Sequence, residues 1–326
     1  MILRVLDKAT VVVNPTSRNA PRLERLQKAA ASLLDDGWQV DVVQTEGQGH
    51  ATLLAREAAA AGARVVFACG GDGTANEVLN GLIGTPTALG IVRAGMGDVF
   101  AKEIGVPRRP EDALRVLLKG HVERFDLGVI EANGSTRYFL CMAGAGFDAD
   151  VERRVPRGAK RRLGSTAYAL WAVADLRRYR AQAVQLKIDG VALECELYWL
   201  LVGNTRSYGG IVDITSAAAV DDGQLDAYVF AGQGPLWLAS TALRLAVRRP
   251  EGGRGVSFQR VKRLELLTPG LPIQADGEYL GESPVTISVA PAVLNVLLPE
   301  GKGQKLFSGA APSLAAARPS LLTERD

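Results

Sequence analysis

The stretch from Val65 to Leu79, Val65-Val-Phe-Ala-Cys69-Gly70-Gly71-Asp72-Gly73-Thr74-Ala75-Asn76-Glu77-Val78-Leu79, constrains the fold more than any other part of the chain. Five apolar residues without alternation, Val65–Cys69, read as a strand covered on both faces, the situation of a strand in a parallel sheet with helices on each side. Three glycines then permit a sharp turn into a helical pattern. A strand that turns over glycines into a helix is the repeating unit of a doubly wound α/β sheet. The flanking segments repeat the alternation. Thr10–Val13 is a β-branched run that stops at Asn14-Pro15. Pro21 opens a helical pattern with Leu23, Leu26, Ala30, Leu33 and Leu34 on one face, ended by Gly37. Trp38–Val43 reads as a second strand, Ala51–Ala61 as a second helix capped by Gly62, and Ala88–Val92 as a fourth strand.

From about Phe125 the texture changes. Phe125–Glu131, Thr136–Met142, Val184–Ile188, Leu193–Val202, Leu225–Phe230, Val261–Leu267 and Val285–Val289 are strand-like and separated by Gly, Asn and Asp turns. Helical patterns over Ser165–Arg180 and Pro235–Val247 interrupt them. Short strands with turn chemistry predict an antiparallel sandwich or barrel. The expected organisation is an α/β domain over residues 1–124, a β-rich domain over 125–306, and a loose tail over 307–326 rich in Ala, Pro and Ser.

Composition removes several function classes. A net charge of +3 on 326 residues gives no bulk electrostatic argument for a nucleic-acid partner. Cys69, Cys141 and Cys195 are odd in number and far apart, which argues against a disulfide framework or a zinc site. His50 and His121 are the two histidines, so imidazole chemistry is scarce. No run approaches the roughly 18–20 apolar residues of a spanning helix, and the first residues lack the pattern of a signal peptide. The expectation is a soluble, cytoplasmic protein.

The glycine-rich turn suggests chemistry. Without Cβ atoms, Gly70, Gly71 and Gly73 let backbone N–H groups close around phosphate oxygens, and the following helix adds its positive dipole end. Asp72 in the same turn would repel phosphate unless a divalent cation lies between, so a Mg²⁺–nucleotide is the natural ligand. A plainer reading stands beside this one: Thr74-x-x-Glu77 has the form of a capping box, and glycines at a strand–helix turn can be purely conformational. The segment is neither a Walker A loop, since no Gly-Lys-Ser/Thr follows, nor G-x-G-x-x-G, since its sixth position is Asn76.

Gly70-Gly71-Asp72-Gly73-Thr74 resembles the nucleotide signature of the diacylglycerol kinase / sphingosine kinase superfamily, and the likeness continues along the chain. Asn14-Pro15 resembles that family's first-strand end, and Leu89–Ala101 its second nucleotide loop. Phe125–Gly128, Met142–Asp148, Gly203–Gly210, Asp221–Asp226 and Asp276-Gly277-Glu278 are similar to its C-terminal motifs. The five-residue signature alone is shared with NAD kinases and phosphofructokinases; the ordered set over roughly residues 10–299 points to the bacterial soluble lipid kinases.

The resemblance implies ATP and Mg²⁺ in a cleft between an α/β and a β-rich domain. On it, Gly70, Gly71, Asp72, Gly73, Thr74, Ala75 and Asn76 hold the nucleotide phosphates, with Asp72 acting through Mg²⁺ and water. Thr45 and the backbone N–H of Met96 are further nucleotide contacts. Glu278 is the proton acceptor, with Asp276 beside it. A structural Mg²⁺ is held by the Asp222 carboxylate and the carbonyls of Ala219 and Gln224. Read on their own, Asp276-Gly277 and Asp221-Asp222-Gly223 are equally tight hairpin turns, and Glu278 a solvated strand residue.

Three positions depart from the family pattern. Its second loop reads Pro-x-Gly-Thr-x-Asn, where this chain has Arg93, Met96 and Asp98. A carboxylate at Asp98 beside phosphates is unfavourable unless Arg93, Lys102 or a metal neutralises it; Arg93 and Asp98 are expected to form a compensating pair. A lipid substrate also requires access to a bilayer. Arg153, Arg154, Arg157, Lys160, Arg161 and Arg162 precede a helix with Tyr168, Leu170, Trp171, Val173 and Leu176, closed by Arg177, Arg178 and Arg180. This pattern suits either an interfacial helix on anionic lipid or a core-packed helix with favourable C-terminal charges. Partners are therefore a lipid substrate and peripheral contact with an anionic membrane, with a homodimer left open and no nucleic acid. Three functions compete: a lipid kinase, an NAD kinase-like transferase on a soluble substrate, and a catalytically impaired binding homologue.

Overall fold

In the computed structural model, which describes residues 6–132, 134–156, 171, 178–210, 212–246 and 253–310, the alternation of the first third becomes a parallel sheet. Its elements are β1 (Asp7–Val13), α1 (Leu23–Ala31), β2 (Trp38–Gln44), α2 (His50–Ala60), β3 (Val65–Gly70), α3 (Asp72–Leu82) and β4 (Ala88–Arg93), followed by the short helices α4 (Val99–Glu103), α5 (Pro110–Leu114) and α6 (Val116–Lys119). The strands lie in the order β2-β1-β3-β4, all parallel. All six residues of β3 are buried, as its unbroken apolar run predicts. The order reverses at β1, which has β2 on one side and β3 on the other. In such a sheet ligands bind beyond the carboxyl ends of the strands at that reversal. Register brings those ends level: Val13 faces both Gln44 and Cys69, and Gly70 faces Arg93.

Helices α2 and α3 pack unusually close. A Cβ at Gly81 would sit 2.5 Å from the Thr52 carbonyl oxygen. The Glu77 carboxylate accepts the Ala51 N–H at 3.2 Å, and the Thr52 hydroxyl donates to the Glu77 carbonyl at 2.8 Å. Glu77 thus satisfies an amide in the first turn of α2, whose N-cap Gly49 has no side chain to do so. The capping-box reading of Thr74-x-x-Glu77 is corrected accordingly: α3 begins at Asp72 with Gly71 as N-cap and no side-chain cap.

The second part is antiparallel. It contains β5 (His121–Ala132), β6 (Ser135–Phe139), β7 (Met142–Gly146), α7 (Phe147–Arg154), β8 (Gln182–Ile188), β9 (Val191–Leu197), β10 (Trp199–Gly203), β11 (Ser207–Tyr208), β12 (Val212–Asp213), β13 (Leu225–Phe230), α8 (Pro235–Ala246), β14 (Val256–Val261), β15 (Arg263–Leu266), β16 (Pro272–Ala275), β17 (Glu278–Glu282) and β18 (Val285–Leu298). One layer is a six-stranded sheet ordered β14-β13-β10-β7-β16-β17; the other includes β9-β8-β15 and the start of β18. Ala143, Leu200, Val202 and Ile273 from the first layer meet Leu186, Ile188, Leu264 and Ile287 from the second in one buried core. This is the predicted sandwich.

Three runs read as single strands are each two. Thr136–Met142 breaks because the amides of Leu140, Cys141 and Met142 donate to the Asp276 carboxylate instead of to a neighbouring strand. Leu193–Val202 breaks at Tyr198, and Val261–Leu267 at Lys262, whose N–H donates to Asp189. At both breaks the chain passes from one layer to the other, and at Tyr198 an apolar run continues through the corner. The two compact units are Met1–Asp126 with Pro291–Lys305, and Leu127–Ala290 with Leu306–Asp326. Strand β18 therefore starts beside β15 and ends parallel to β4, returning residues 291–305 to the first unit instead of leaving a continuous domain over 125–306. The Ser165–Arg180 helix, apart from Trp171 and residues 178–180, lies outside the described residues, as do Arg157–Arg162 and residues 311–326. No helix among the described residues is long and apolar enough to cross a membrane.

Candidate active site

Three loops meet at the carboxyl ends of β1, β3 and β4. The Asn14 amide donates to the Thr74 hydroxyl at 3.2 Å, and its oxygen accepts from the Thr16 N–H and hydroxyl. Asn19 reaches the β4 loop, its N–H donating to the Ala94 carbonyl at 3.0 Å and its side-chain amide to the Gly95 carbonyl at 2.6 Å. The Ala94 N–H donates to the Gly70 carbonyl at 3.1 Å. Backbone then approaches backbone so closely that side chains are excluded. A Cβ at Gly95 would lie 2.6 Å from the Gly71 Cα, and one at Gly97 would lie 2.7 Å from an Asp72 carboxylate oxygen. Gly70 is equally crowded, 2.3 Å from the Thr74 hydroxyl. The result is a glycine-floored cradle at the start of the eleven-residue helix α3. Its chemistry fits an anion with several oxygens.

The charged side chains here are ordered by one another. Asp72 accepts the Val99 N–H at 2.8 Å, fixing the start of α4 against the first loop. Asp98 sits at φ +44°, accepts the Gly95 N–H at 2.8 Å and lies 3.5 Å from the Arg93 Nε, with both side chains nearly buried. The expected Arg93–Asp98 pairing is present. Burial, with the Asp98 charge adding to it, pushes the Cys69 thiol up to about 12, which keeps it protonated and unreactive. The Met96 side chain takes part in the loop as well: its sulfur accepts from an Arg18 guanidinium nitrogen at 2.9 Å, which brings a cation there. Thr45 follows the last residue of β2, its N–H donating to the Val13 carbonyl at 2.8 Å. Ala75 lies within α3, its N–H donating to the Gly71 carbonyl, and Asn76 is buried in the next turn.

In the second unit Asp276 and Gly277 form the tip of the β16–β17 hairpin, with φ of +47° and +75°. The two-residue turn is thus as its sequence suggests. The Asp276 carboxylate accepts three backbone N–H groups, from Leu140 at 2.8 Å, Cys141 at 2.8 Å and Met142 at 3.1 Å. Glu278 follows, half-exposed, with its carboxylate on the Arg137 guanidinium at 2.5 Å. A second chain of contacts supports the tip from below. The Gly277 N–H donates to the Gln274 side-chain oxygen at 3.1 Å, and the Gln274 amide nitrogen donates to Asp148 at 2.8 Å. Asp148 is fully buried, in a space that exists only because position 144 is glycine. Burial pushes its carboxyl up to about 6, against the lowering effect of its hydrogen bonds. Arg137, Gln274, Arg18 and Asn19 carry no motif and were not legible as site residues; Asp148 ends the Met142–Asp148 motif, which was the available signal.

The turn before β13 differs from the hairpin its Asp-Asp-Gly suggests, since the preceding strand β12 pairs with β11. Asp222 accepts the Gln224 N–H at 3.0 Å, and Asp221 accepts from the N–H and hydroxyl of Ser308. Ala219 is buried just ahead of it. One carboxylate with carbonyl oxygens is a donor set of the type hard cations take. Among the described residues no cluster of three or more His, Cys, Asp or Glu side chains could hold a metal.

A doubly wound unit with a glycine-floored cradle at its switch point, followed by a sandwich with an ordered carboxylate hairpin, defines the class of protein. Residues 8–130 match the diacylglycerol kinase catalytic domain, and residues 141–298 match the YegS C-terminal NAD kinase beta sandwich-like domain. The chain is 34% identical over 303 residues to a diacylglycerol kinase of Mycobacterium tuberculosis, covering 90% of this chain and 96% of that protein. It is 30% identical over 285 residues to the probable lipid kinase YegS-like of Chromohalobacter salexigens, covering 86% and 90%. The crystal structure of a diacylglycerol kinase from Bacillus anthracis has the same fold, with a TM-score of 0.69 at 21% identity over 91% of this chain and 98% of that one. The chain belongs to the family of diacylglycerol kinases and YegS-like lipid kinases.

Proposed function

We propose that the protein is a cytoplasmic, ATP-dependent kinase that transfers the γ-phosphoryl group to the hydroxyl of a lipid of diacylglycerol, phosphatidylglycerol or sphingoid type. The observation that supports it most is the glycine-floored cradle, where a Cβ at Gly95 would lie 2.6 Å from the Gly71 Cα and so could not be carried without displacement. Gly70 to Asn76 hold the nucleotide phosphates against the α3 N-terminus, with Met96 and Thr45 as further nucleotide contacts. Arg93 and Arg18 offset the negative charge that Asp98 and Asp72 bring to the same loops. Asp72, one oxygen of which is fixed by the Val99 N–H, is the residue that would face a Mg²⁺ ion through water. That ion would supply charge neutralisation between the carboxylate and the phosphates. Ala219, Asp222 and Gln224 are the residues that would hold a structural Mg²⁺.

Phosphoryl transfer depends on alignment and charge more than on covalent chemistry. The acceptor hydroxyl oxygen forms a bond to the γ-phosphorus, the bond to the β-phosphate oxygen breaks, and the hydroxyl proton passes to the Glu278 carboxylate. Arg137 fixes the direction of that carboxylate. Asp276, grouped with Glu278 as a catalytic residue on sequence, takes a positioning role instead, because its oxygens accept three backbone amides. Radiolabelled ATP supplied with a lipid panel and with NAD tests the reading. Label in the organic extract, lost in Asp72→Ala, is the expected result. Label in NADP would select the soluble-substrate transferase, and ATP binding without transfer would select the impaired homologue.

A further inference from the structure

Helix α8 is held on one face and bare on the other. Trp237 anchors it: the indole N–H donates to the Arg254 carbonyl at 2.8 Å, and the ring meets Tyr198 edge to face at 5.5 Å. Gly232 lies beneath that indole, where a Cβ would come within 2.4 Å of it, and Thr241 is buried one turn further along. The opposite stripe is Leu236, Ala239, Ser240 and Leu243, at helical spacing. Leu236 is 86% exposed and Leu243 65%. An anchored helix that exposes two leucines at i and i+7 presents a fixed apolar edge, more than a scattered surface side chain would.

The charge on this helix has one sign. Pro235–Ala246 contains no carboxylate and one cation, Arg244, which is exposed. Arg254, whose carbonyl receives the indole, is also exposed, and the sequence between adds Arg248 and Arg249 against Glu251. Exposed apolar side chains on a helix whose charge is basic are what an anionic bilayer surface complements: leucines enter the acyl boundary and guanidinium groups stay at the headgroups. We infer that α8 docks the protein on an anionic lipid surface through Leu236 and Leu243, with Arg244 at the headgroup level. The inference rests on the reading of the acceptor as a lipid, and it concerns a different element from the Ser165–Arg180 segment.

Co-sedimentation of the full chain with vesicles of phosphatidylglycerol and phosphatidylcholine tests it, at low and high salt. Wild type is expected to partition to mixed vesicles and weakly to pure phosphatidylcholine. Leu236→Glu/Leu243→Glu is expected to lower the partition by about tenfold or more, and the milder Leu236→Ser/Leu243→Ser by less, with unchanged melting. Phosphorylation of a short-chain, water-soluble diacylglycerol should be unaffected by either variant, while that of vesicle-borne diacylglycerol falls. Unchanged vesicle binding in both variants would overturn the inference. So would a shift from dimer to monomer in the variants, which would make a second copy the occupant of this face. Vesicle binding that needs the leucines, in a protein that phosphorylates no lipid, would keep the docking face and overturn the kinase reading alone.

Discussion

Asp148 is a carboxylate removed from water, with Gln274 and its own helix N-terminus as partners and the Glu152 charge adding to the effect of burial. Its folded value of about 6 lies above the usual 3.8, so the folded state keeps a proton that the unfolded chain has released. The stability this group contributes is fully present below pH of about 4 and is lost as pH rises through about 6. Measured by denaturant titration, wild type should lose about 3 kcal/mol relative to Asp148→Asn between pH 4 and 7; a constant difference would contradict the assignment. At Asp98 the prediction is one of small effect. Since Arg93 already neutralises the carboxylate, Asp98→Asn and Met96→Thr should each change ATP affinity by less than about tenfold in calorimetry. A gain of several orders of magnitude would show that the native loop is impaired. These residues also mark what a sequence conceals. Asp98 and Met96 stand out against a motif, whereas Gln274 and Arg137 act through positions that only the folded register of β6, β16 and β17 brings together.

Among elements, the βα units were legible because each strand–helix boundary carries its own chemistry: a β-branched run, then Asn-Pro or glycines, then helical periodicity. The β-rich half was legible in kind but not in its breaks. Tyr198 and Lys262 interrupt strand-like runs without any turn residue, since the chain changes layers there, buried at Tyr198 and exposed at Lys262. The break at Leu140 depends on Asp276, more than a hundred residues away, and no local pattern reports it. Likewise Thr74-x-x-Glu77 fits a capping box, yet Glu77 serves the neighbouring helix. The glycine cradle supplies the prediction at this scale. Gly95→Ala places a methyl 2.6 Å from the Gly71 Cα, where backbone must move. It should cost about 1–3 kcal/mol in chemical denaturation and abolish measurable ATP binding. Gly84→Ala, at a turn with nothing within 4 Å of the added carbon, is the control for backbone conformation, which should leave ATP binding intact.

For the whole molecule, the proposed function needs phosphate recognition in the parallel α/β unit and proton acceptance in the antiparallel sandwich, between which the chain passes along β5 and back along β18. With two histidines in the chain, a carboxylate is the base the composition leaves available, and Glu278 on Arg137 is the one the fold presents at a hairpin edge. The most direct test is steady-state transfer of label from ATP to a short-chain diacylglycerol by wild type and Glu278→Gln, with ATP affinity measured in parallel. With Glu278 as the proton acceptor, kcat is expected to fall by about 10²–10⁴-fold with ATP affinity unchanged. A Glu278→Gln protein that transfers label at the wild-type rate would contradict that role.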